Sequence, residues 1–261
     1  MLNNFNMNYK TIIFEIEDNI AYLKLNNPKK LNTLSQLFFD EFEDVINYIS
    51  INYDLKVLII SSVSKDVFSA GGELNEIAAA DYDLGLAMCL RLQRVYSGLQ
   101  NLEIPVIAAL DGYVLGGGLE LALHCDIRFA GENTILRLPE SDIGLIPAAG
   151  GICMFSKYFS LADSAYYLFT GNQIPIEKAL EKGFVQKIYK SDELMIETEK
   201  FAKLLCTKSS QSLRAIKKIL ISSMFLDVNE LLEMEAREFS SVLQTDGKER
   251  IKQFFEKRNK V

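Results

Sequence analysis

Apolar positions along the chain recur with two alternating periods. Residues 11–17 and 20–25 alternate or run apolar around Asp18-Asn19 and predict a β-hairpin. Residues 34–51 space Leu37, Phe38, Phe42, Val45, Ile46 and Ile49 as one face of a helix. The short Val- and Ile-rich run at 56–61 predicts a buried strand, and 84–102 a helix with Leu86, Leu90, Leu92, Val95 and Leu99 toward the core. Strands at 106–110 and 127–130 flank a glycine-started helix at 116–124. Strands alternating with helices predict an α/β fold with a largely parallel sheet. After residue 192 only helical spacing continues, over 194–206, 209–224, 228–244 and 247–260. The chain therefore divides into a strand-bearing core, 1–192, and a helical region, 193–261. The apolar faces of that region must be buried on the core or on another subunit.

The 261 residues suit one sizeable domain with a helical appendage, and a 49% apolar composition is that of a globular chain. The formal charge of −7 gives no overall field favouring nucleic acid. Residues 1–10 are polar and Asn-rich, without the basic start and apolar core of a leader, and Met7 offers an alternative start. No apolar run approaches the ~18 residues that a membrane span needs. Cys89, Cys125, Cys153 and Cys206 are scattered and read as buried thiols of a reducing cytoplasm, neither catalytic nor metal ligands.

Three segments carry candidate chemistry. In Asp111-Gly-Tyr-Val-Leu-Gly-Gly-Gly-Leu-Glu-Leu-Ala-Leu-His-Cys-Asp126, three successive glycines follow a strand and open a helix. Glycine costs helix stability, so three together imply a ligand brought close to backbone N–H groups. A helix start has unpaired donors and the positive end of the dipole, which suit an oxyanion or phosphate. Glu120 is the one acid on this otherwise apolar helix, three residues after Gly117 and on its face. A buried carboxylate must be paired or used. Either it works beside the glycine amides, or a structural Arg or Lys satisfies it.

The second segment, Leu138-Pro-Glu-Ser-Asp-Ile-Gly-Leu-Ile-Pro-Ala-Ala-Gly-Gly151, is a loop by its Pro and Gly content, carrying Glu140 and Asp142. Asp142 reads as a solvated loop acid, and Gly150 and Gly151 as the opening of another helix. The third, Val67-Phe-Ser-Ala-Gly-Gly-Glu-Leu-Asn75, places Gly71 and Gly72 after a strand and again suggests exposed backbone donors.

Taken together these segments resemble the crotonase (enoyl-CoA hydratase/isomerase) family. Its F-x-A-G-x-D oxyanion segment is similar to Phe68-Ser-Ala-Gly-Gly-Glu73, its G-x-x-x-G-G-G-x-E to Gly112–Glu120, and its P-E-x-x-x-G-x-x-P-x-x-G-G to 139–151. Asn27-Pro-Lys-Lys-Leu-Asn32 is similar to its CoA-contacting turn, Leu168-Phe-Thr-Gly to its trimer-side helix end, and Phe254-Phe-Glu-Lys-Arg258 to its closing helix. The resemblance covers essentially the whole chain. It implies a spiral of β-β-α units with a C-terminal helical trimerisation region, assembled as a homotrimer or hexamer. It implies that Gly72 and Gly117 N–H bind the oxygen of an acyl-CoA or carrier-borne thioester. Glu120 would act as base toward water and Glu140 as acid toward the α-carbon. Lys30, Leu31 and Ala70 would lie at the adenine end of CoA, with Lys257 at a CoA phosphate. Coenzyme A enters only as part of the substrate, and the chemistry calls for no metal and no prosthetic group.

The chain departs from the usual hydratase pattern around the acyl pocket. Ala148 stands where glycine is common, Ile152-Cys-Met-Phe155 replaces Thr-Gln-Arg-Leu, and Ser141 and Asp142 replace apolar residues. These changes leave isomerisation, decarboxylation and carrier-bound dehydration open as alternatives. Residues 74–84 are expected to cover the acyl pocket. A dinucleotide-binding motif fails because Leu121 stands where its last glycine belongs, and no Gly-Lys-Ser/Thr marks a P-loop. The single histidine, His124, reads as packed or capping, which removes Ser-His-Asp triads and histidine metal clusters. A non-catalytic oligomeric scaffold is the remaining alternative, and the presence of both acids argues against it.

Overall fold

The computed structural model describes residues 8–258, apart from the side chain of Lys257. The expectations placed on residues 1–7, on the end of the 247–260 helix and on the Lys257 side chain lie outside the described residues.

The strands β1 (Ile12–Glu17) and β2 (Ile20–Leu25) form the antiparallel hairpin, turned at Asp18 and Asn19, which take φ of 50° and 65°. Asp and Asn enter this left-handed region more readily than other side chains. The helix α1 (Gln36–Ile51) follows, capped by Ser35. The chain then repeats one motif. The strands β3 (Val57–Ser62) and β4 (Val67–Ser69) precede helices α2 (Leu74–Ala78) and α3 (Tyr82–Gln100). In the next unit β5 (Val106–Leu110) and β6 (Tyr113–Leu115) precede α4 (Gly117–Leu123), and in the third β7 (Ile127–Gly131) and β8 (Ile135–Arg137) precede a 3-10 turn at Glu140–Ile143. Helices α5 (Phe155–Tyr158), α6 (Leu161–Thr170) and α7 (Ile176–Glu181) lead to β9 (Lys187–Tyr189).

The first strand of each unit joins a six-stranded sheet of order β1-β2-β3-β5-β7-β9, and the second joins a three-stranded sheet of order β4-β6-β8. Every strand pairing beyond the hairpin is parallel. This is the expected spiral of β-β-α units. The expected strands at 56–61, 106–110 and 127–130 all belong to the large sheet. The small sheet went unread, because strands of three residues carry no period of their own.

The central strands β3 and β5 are buried on both faces, as parallel strands between helical layers must be. One face packs on Phe38 and Phe42 of α1, Tyr96 and Leu99 of α3, and Leu119 and Leu121 of α4. The other face, with Val57, Ile59, Ile107 and Phe129, receives Leu194 and Ala202 of α8 (Leu194–Cys206). Next come α9 (Ser210–Ser222), α10 (Val228–Val242) and α11 (Lys248–Arg258). A π-turn at Leu243–Gly247 joins the last two, so the break expected near 245 is not a chain reversal. Lys217 ties α9 to the core, bonding Asp126 at 2.8 Å and Ile104 O at 2.9 Å. No residue of α10 is buried, and Val228, Leu232 and Phe239 are exposed.

Some positions differ from expectation. Leu37 is exposed in the first turn of α1, which packs from Phe38 onward, and Leu86 and Leu90 are exposed because α3 packs mainly through its second half, at Val95, Tyr96 and Leu99. Gly150 and Gly151 form a turn ahead of α5 rather than the first residues of a helix. Of the four thiols only Cys125 is buried, and Cys153 is exposed. Among the described residues no helix is long and apolar enough to cross a membrane.

Candidate active site

The small sheet gathers the three sequence segments. Its parallel strands lie side by side and end together, β4 at Ala70-Gly71-Gly72, β6 at Gly116-Gly117 and β8 at Pro139-Glu140. Pairing carries Leu115 onto Arg137, and Gly116 N–H donates to Arg137 O at 3.0 Å. Segments far apart in sequence thus meet at the carboxyl ends of parallel strands, where open α/β sheets form their crevices.

Two amides sit together there. Gly71 has φ of 90°, and a Cβ on it would lie 3.0 Å from Leu115 O and 3.1 Å from Gly117 N. A Cβ on Gly117 would lie 3.7 Å from Gly72 N. At Gly71 bare backbone is what allows this approach. Gly71 and Gly116 are buried, whereas Gly72 and Gly117 are half-buried. Neither the Gly72 nor the Gly117 N–H donates to an acceptor among the described residues. Gly117 is the first residue of α4, where a helix leaves its N–H groups unpaired. Ile77 of α2 stands against Gly72, since a Cβ there would meet its Cδ1 at 2.8 Å. The Tyr96 hydroxyl, buried in the core, donates to Gly117 O at 2.8 Å.

Glu120 is 3% exposed, one turn into α4. Its Oε1 accepts from Ala149 N at 2.6 Å and Gly151 N at 2.9 Å, with the Ala148 amide also turned to the carboxylate. The alternative of a structural Arg or Lys falls away: the nearby buried Arg128 gives its donors to the carbonyls of Phe184, Ala122 and Cys125. Burial holds the Glu120 carboxyl above its ordinary value, and the three amides oppose that rise without cancelling it.

Glu140 begins the 3-10 turn and has the opposite surroundings. Its Oε1 lies where a Cβ on Gly116 would come within 2.9 Å, and its Oε2 is buried without a hydrogen-bond partner. Burial raises this carboxyl to about 7, opposed by a hydrogen bond from its own backbone amide and helped by the Glu120 charge. The site therefore holds one acid bonded by amides of the neighbouring loop and one with a buried oxygen left unpaired, an arrangement that favours unlike ionisation of the two.

Lys30, Leu31 and Ala70 are brought together beside Gly71. Lys30 ends an exposed 3-10 turn, and Leu31, with φ of 54°, accepts from Ala70 N at 2.9 Å. Asn32 fixes this turn: its amide donates to Phe68 O at 3.0 Å and Ser62 Oγ at 2.9 Å, and its oxygen accepts from Asn27 N at 2.7 Å. His124 caps α4 and rests its Nδ1 2.8 Å from Glu120 O, a packed residue as expected. Asp142 is not simply solvated, because Arg137 pairs with it at 3.0 Å. Sequence reasoning missed Tyr96 and the 149 and 151 amides. Tyr96 reads only as one more apolar-face residue, and main-chain donors leave no mark in side-chain identity.

A family profile described as enoyl-CoA hydratase/isomerase matches residues 15–261. A short-chain-enoyl-CoA hydratase of Clostridium acetobutylicum is 30% identical, over 97% of this chain and 97% of its own length. A crotonyl-CoA hydratase of Syntrophomonas wolfei is 31% identical, also over 97% of each chain. The crystal structure of an enoyl-CoA hydratase from Bacillus anthracis superposes with a TM-score of 0.91 at 25% identity, covering 95% of this chain and 97% of that one. With a matching profile over nearly its whole length and the spiral fold in place, the chain belongs to the enoyl-CoA hydratase/isomerase family.

Proposed function

We propose that the protein is an enoyl-CoA hydratase, adding water reversibly across the 2,3 double bond of a 2-enoyl-CoA. The observation that carries this reading is the contrast between Glu120, held by backbone donors, and Glu140, buried with an unpaired oxygen, beside two unpaired glycine amides.

The thioester oxygen binds at the N–H groups of Gly72 and Gly117. Glu120, ionised, takes a proton from water as the water oxygen bonds to C3. The π electrons move to the thioester oxygen, and the two amides stabilise the enolate. One such donor is worth on the order of 3 kcal/mol in the transition state. Glu140, protonated, then delivers its proton to C2 as the enolate collapses. The product is a 3-hydroxyacyl-CoA. Afterwards Glu120 carries the proton gained and Glu140 has lost one, and exchange with solvent restores both. Lys30, Leu31 and Ala70 seat the adenine end of the carrier, and Lys257 serves a phosphate. No prosthetic group takes part. Helix α2 covers the acyl side, with Ile77 against Gly72.

The exposed Val228, Leu232 and Phe239 of α10 support self-association through the helical region 193–261, as a homotrimer or a hexamer. Four free thiols fit a cytoplasmic setting.

The test is hydration of crotonyl-CoA and longer 2-enoyl-CoAs, followed by loss of the conjugated thioester absorbance. Glu120→Gln and Glu140→Gln are each expected to lower kcat by about 10²–10⁴-fold. Thioester binding with no hydration by the wild type would overturn the hydratase reading in favour of isomerase, decarboxylase or carrier-bound dehydratase chemistry.

A further inference from the structure

Gln93 lies on α3, outside the three glycine- and acid-bearing segments. Its side-chain amide donates to Ala148 O at 2.7 Å. That carbonyl shares a peptide plane with the N–H of Ala149, and the Ala149 N–H donates to Glu120 Oε1 at 2.6 Å. The three groups form one chain: side-chain N–H to carbonyl, then across the peptide to N–H and carboxylate. Hydrogen bonds in series polarise one another, and the far donor also fixes the plane of the peptide between them. Segment 144–149 has no regular secondary structure, so the orientation of this peptide is not set by a helix or a sheet ladder. The loop is anchored instead by Gln93 on one side and Glu120 on the other.

We infer that Gln93 is a positioning residue for the proposed base, holding the Ala148–Ala149 peptide so that its N–H favours the ionised form of Glu120. This inference rests on the reading of Glu120 as the base. It deepens that reading by naming the group that sets when the base is ready. Gln93 is exposed and fills no part of the core, so its replacement leaves folding intact.

The experiment compares wild type with Gln93→Met, which keeps the length of the side chain and removes the donor. Two readouts are taken on the full chain. The first is the pH profile of kcat/KM for crotonyl-CoA. The second is the carbon-13 titration of the Glu120 carboxyl, assigned by its absence in Glu120→Gln. A lost hydrogen bond of ordinary strength corresponds to a shift of roughly half a pH unit. The expected result is an acid limb and a carboxyl titration both moved upward by that amount. KM should stay within about twofold and the melting temperature should be unchanged, as for a side chain that touches neither core nor substrate. A Gln93→Met carboxyl that titrates as in wild type overturns the inference. Absence of hydration in wild type would instead overturn the proposed function, and the titration would still decide the role of Gln93.

Discussion

The Glu120 and Glu140 carboxyls are close enough for the charge of the first to act on the second, yet their hydrogen-bond supplies differ. Glu120 Oε1 takes N–H bonds from Ala149 and Gly151, whereas Glu140 Oε2 is buried with none. Burial raises both carboxyls, and the main-chain donors oppose that rise at Glu120, so two side chains of the same chemistry are set in unlike surroundings.

Stability should carry the mark of Glu140. Its carboxyl is raised from 4.5 to about 7 in the fold. Between these values the folded chain holds a proton that the unfolded chain has released, so stability falls as pH rises through this window. Glu140→Gln lacks this dependence. Its melting temperature relative to wild type should climb from pH 4.5 to pH 8, and parallel curves would show that the carboxyl is not held neutral. Wild-type kcat/KM for hydration should fall as pH rises through about 7, since the acid form of Glu140 is the one required.

Gly116 is predicted to be irreplaceable for a reason separable from backbone strain. It has φ of 51°, and a Cβ would sit 2.9 Å from Glu140 Oε1. Gly183 has φ of 71° with nothing within 4 Å. Alanine at either position should cost about 1–3 kcal/mol through the positive φ, with Gly116 at the upper end because its ψ of −124° lies outside the left-handed helical region. Only Gly116→Ala should also displace the acid and lower kcat, by tenfold or more at about 1.4 kcal/mol per decade. Denaturant melts and steady-state kinetics on the pair separate the two effects.

Tyr96→Phe removes the hydroxyl that anchors Gly117 and nothing else. The expected cost is about 1 kcal/mol of stability. Loosening the start of α4 should also weaken polarisation of a bound aryl-acryloyl thioester, read as a smaller red shift of its absorption. An unchanged shift would mean that the amide of Gly117 holds its place without the tyrosine.

Lys217 should matter to stability and not to chemistry. It is buried against Asp126 at 2.8 Å and joins α9 to the core. Breaking such a pair by Lys217→Met should cost about 3 kcal/mol, because the acid is left behind. The folded fraction should keep wild-type kcat, measured below its shifted melting range.

Much of this was legible in the sequence, for identifiable reasons. Runs such as Val57-Leu-Ile-Ile60 announce doubly buried strands, and the spacing of Phe38, Phe42, Val45 and Ile49 announces α1, because burial repeats with the geometry of each element. Glycines 71, 72, 116 and 117 were legible because a missing side chain is itself a signal of close approach. The small sheet was not, since Val67–Ser69, Tyr113–Leu115 and Ile135–Arg137 are each too short for a period to show. Leu86 and Leu90 misled, since helical spacing identifies an apolar face but not whether anything lies against it. The donors to Glu120 were invisible because every residue but proline carries the same N–H.

That last point has a consequence for how the protein can change. The groups that hold the proposed base are peptide amides at 149 and 151, with the one at 148 turned the same way. A substitution there alters the side chains that the loop presents while leaving the donor in place, provided that the loop keeps its path. Ala148, unusual for its position, is one such change. On the proposed reading, the shape that selects a substrate and the electrostatics that activate water are written in different parts of the same residues, side chain and main chain, and the first is free to drift while the second stays put.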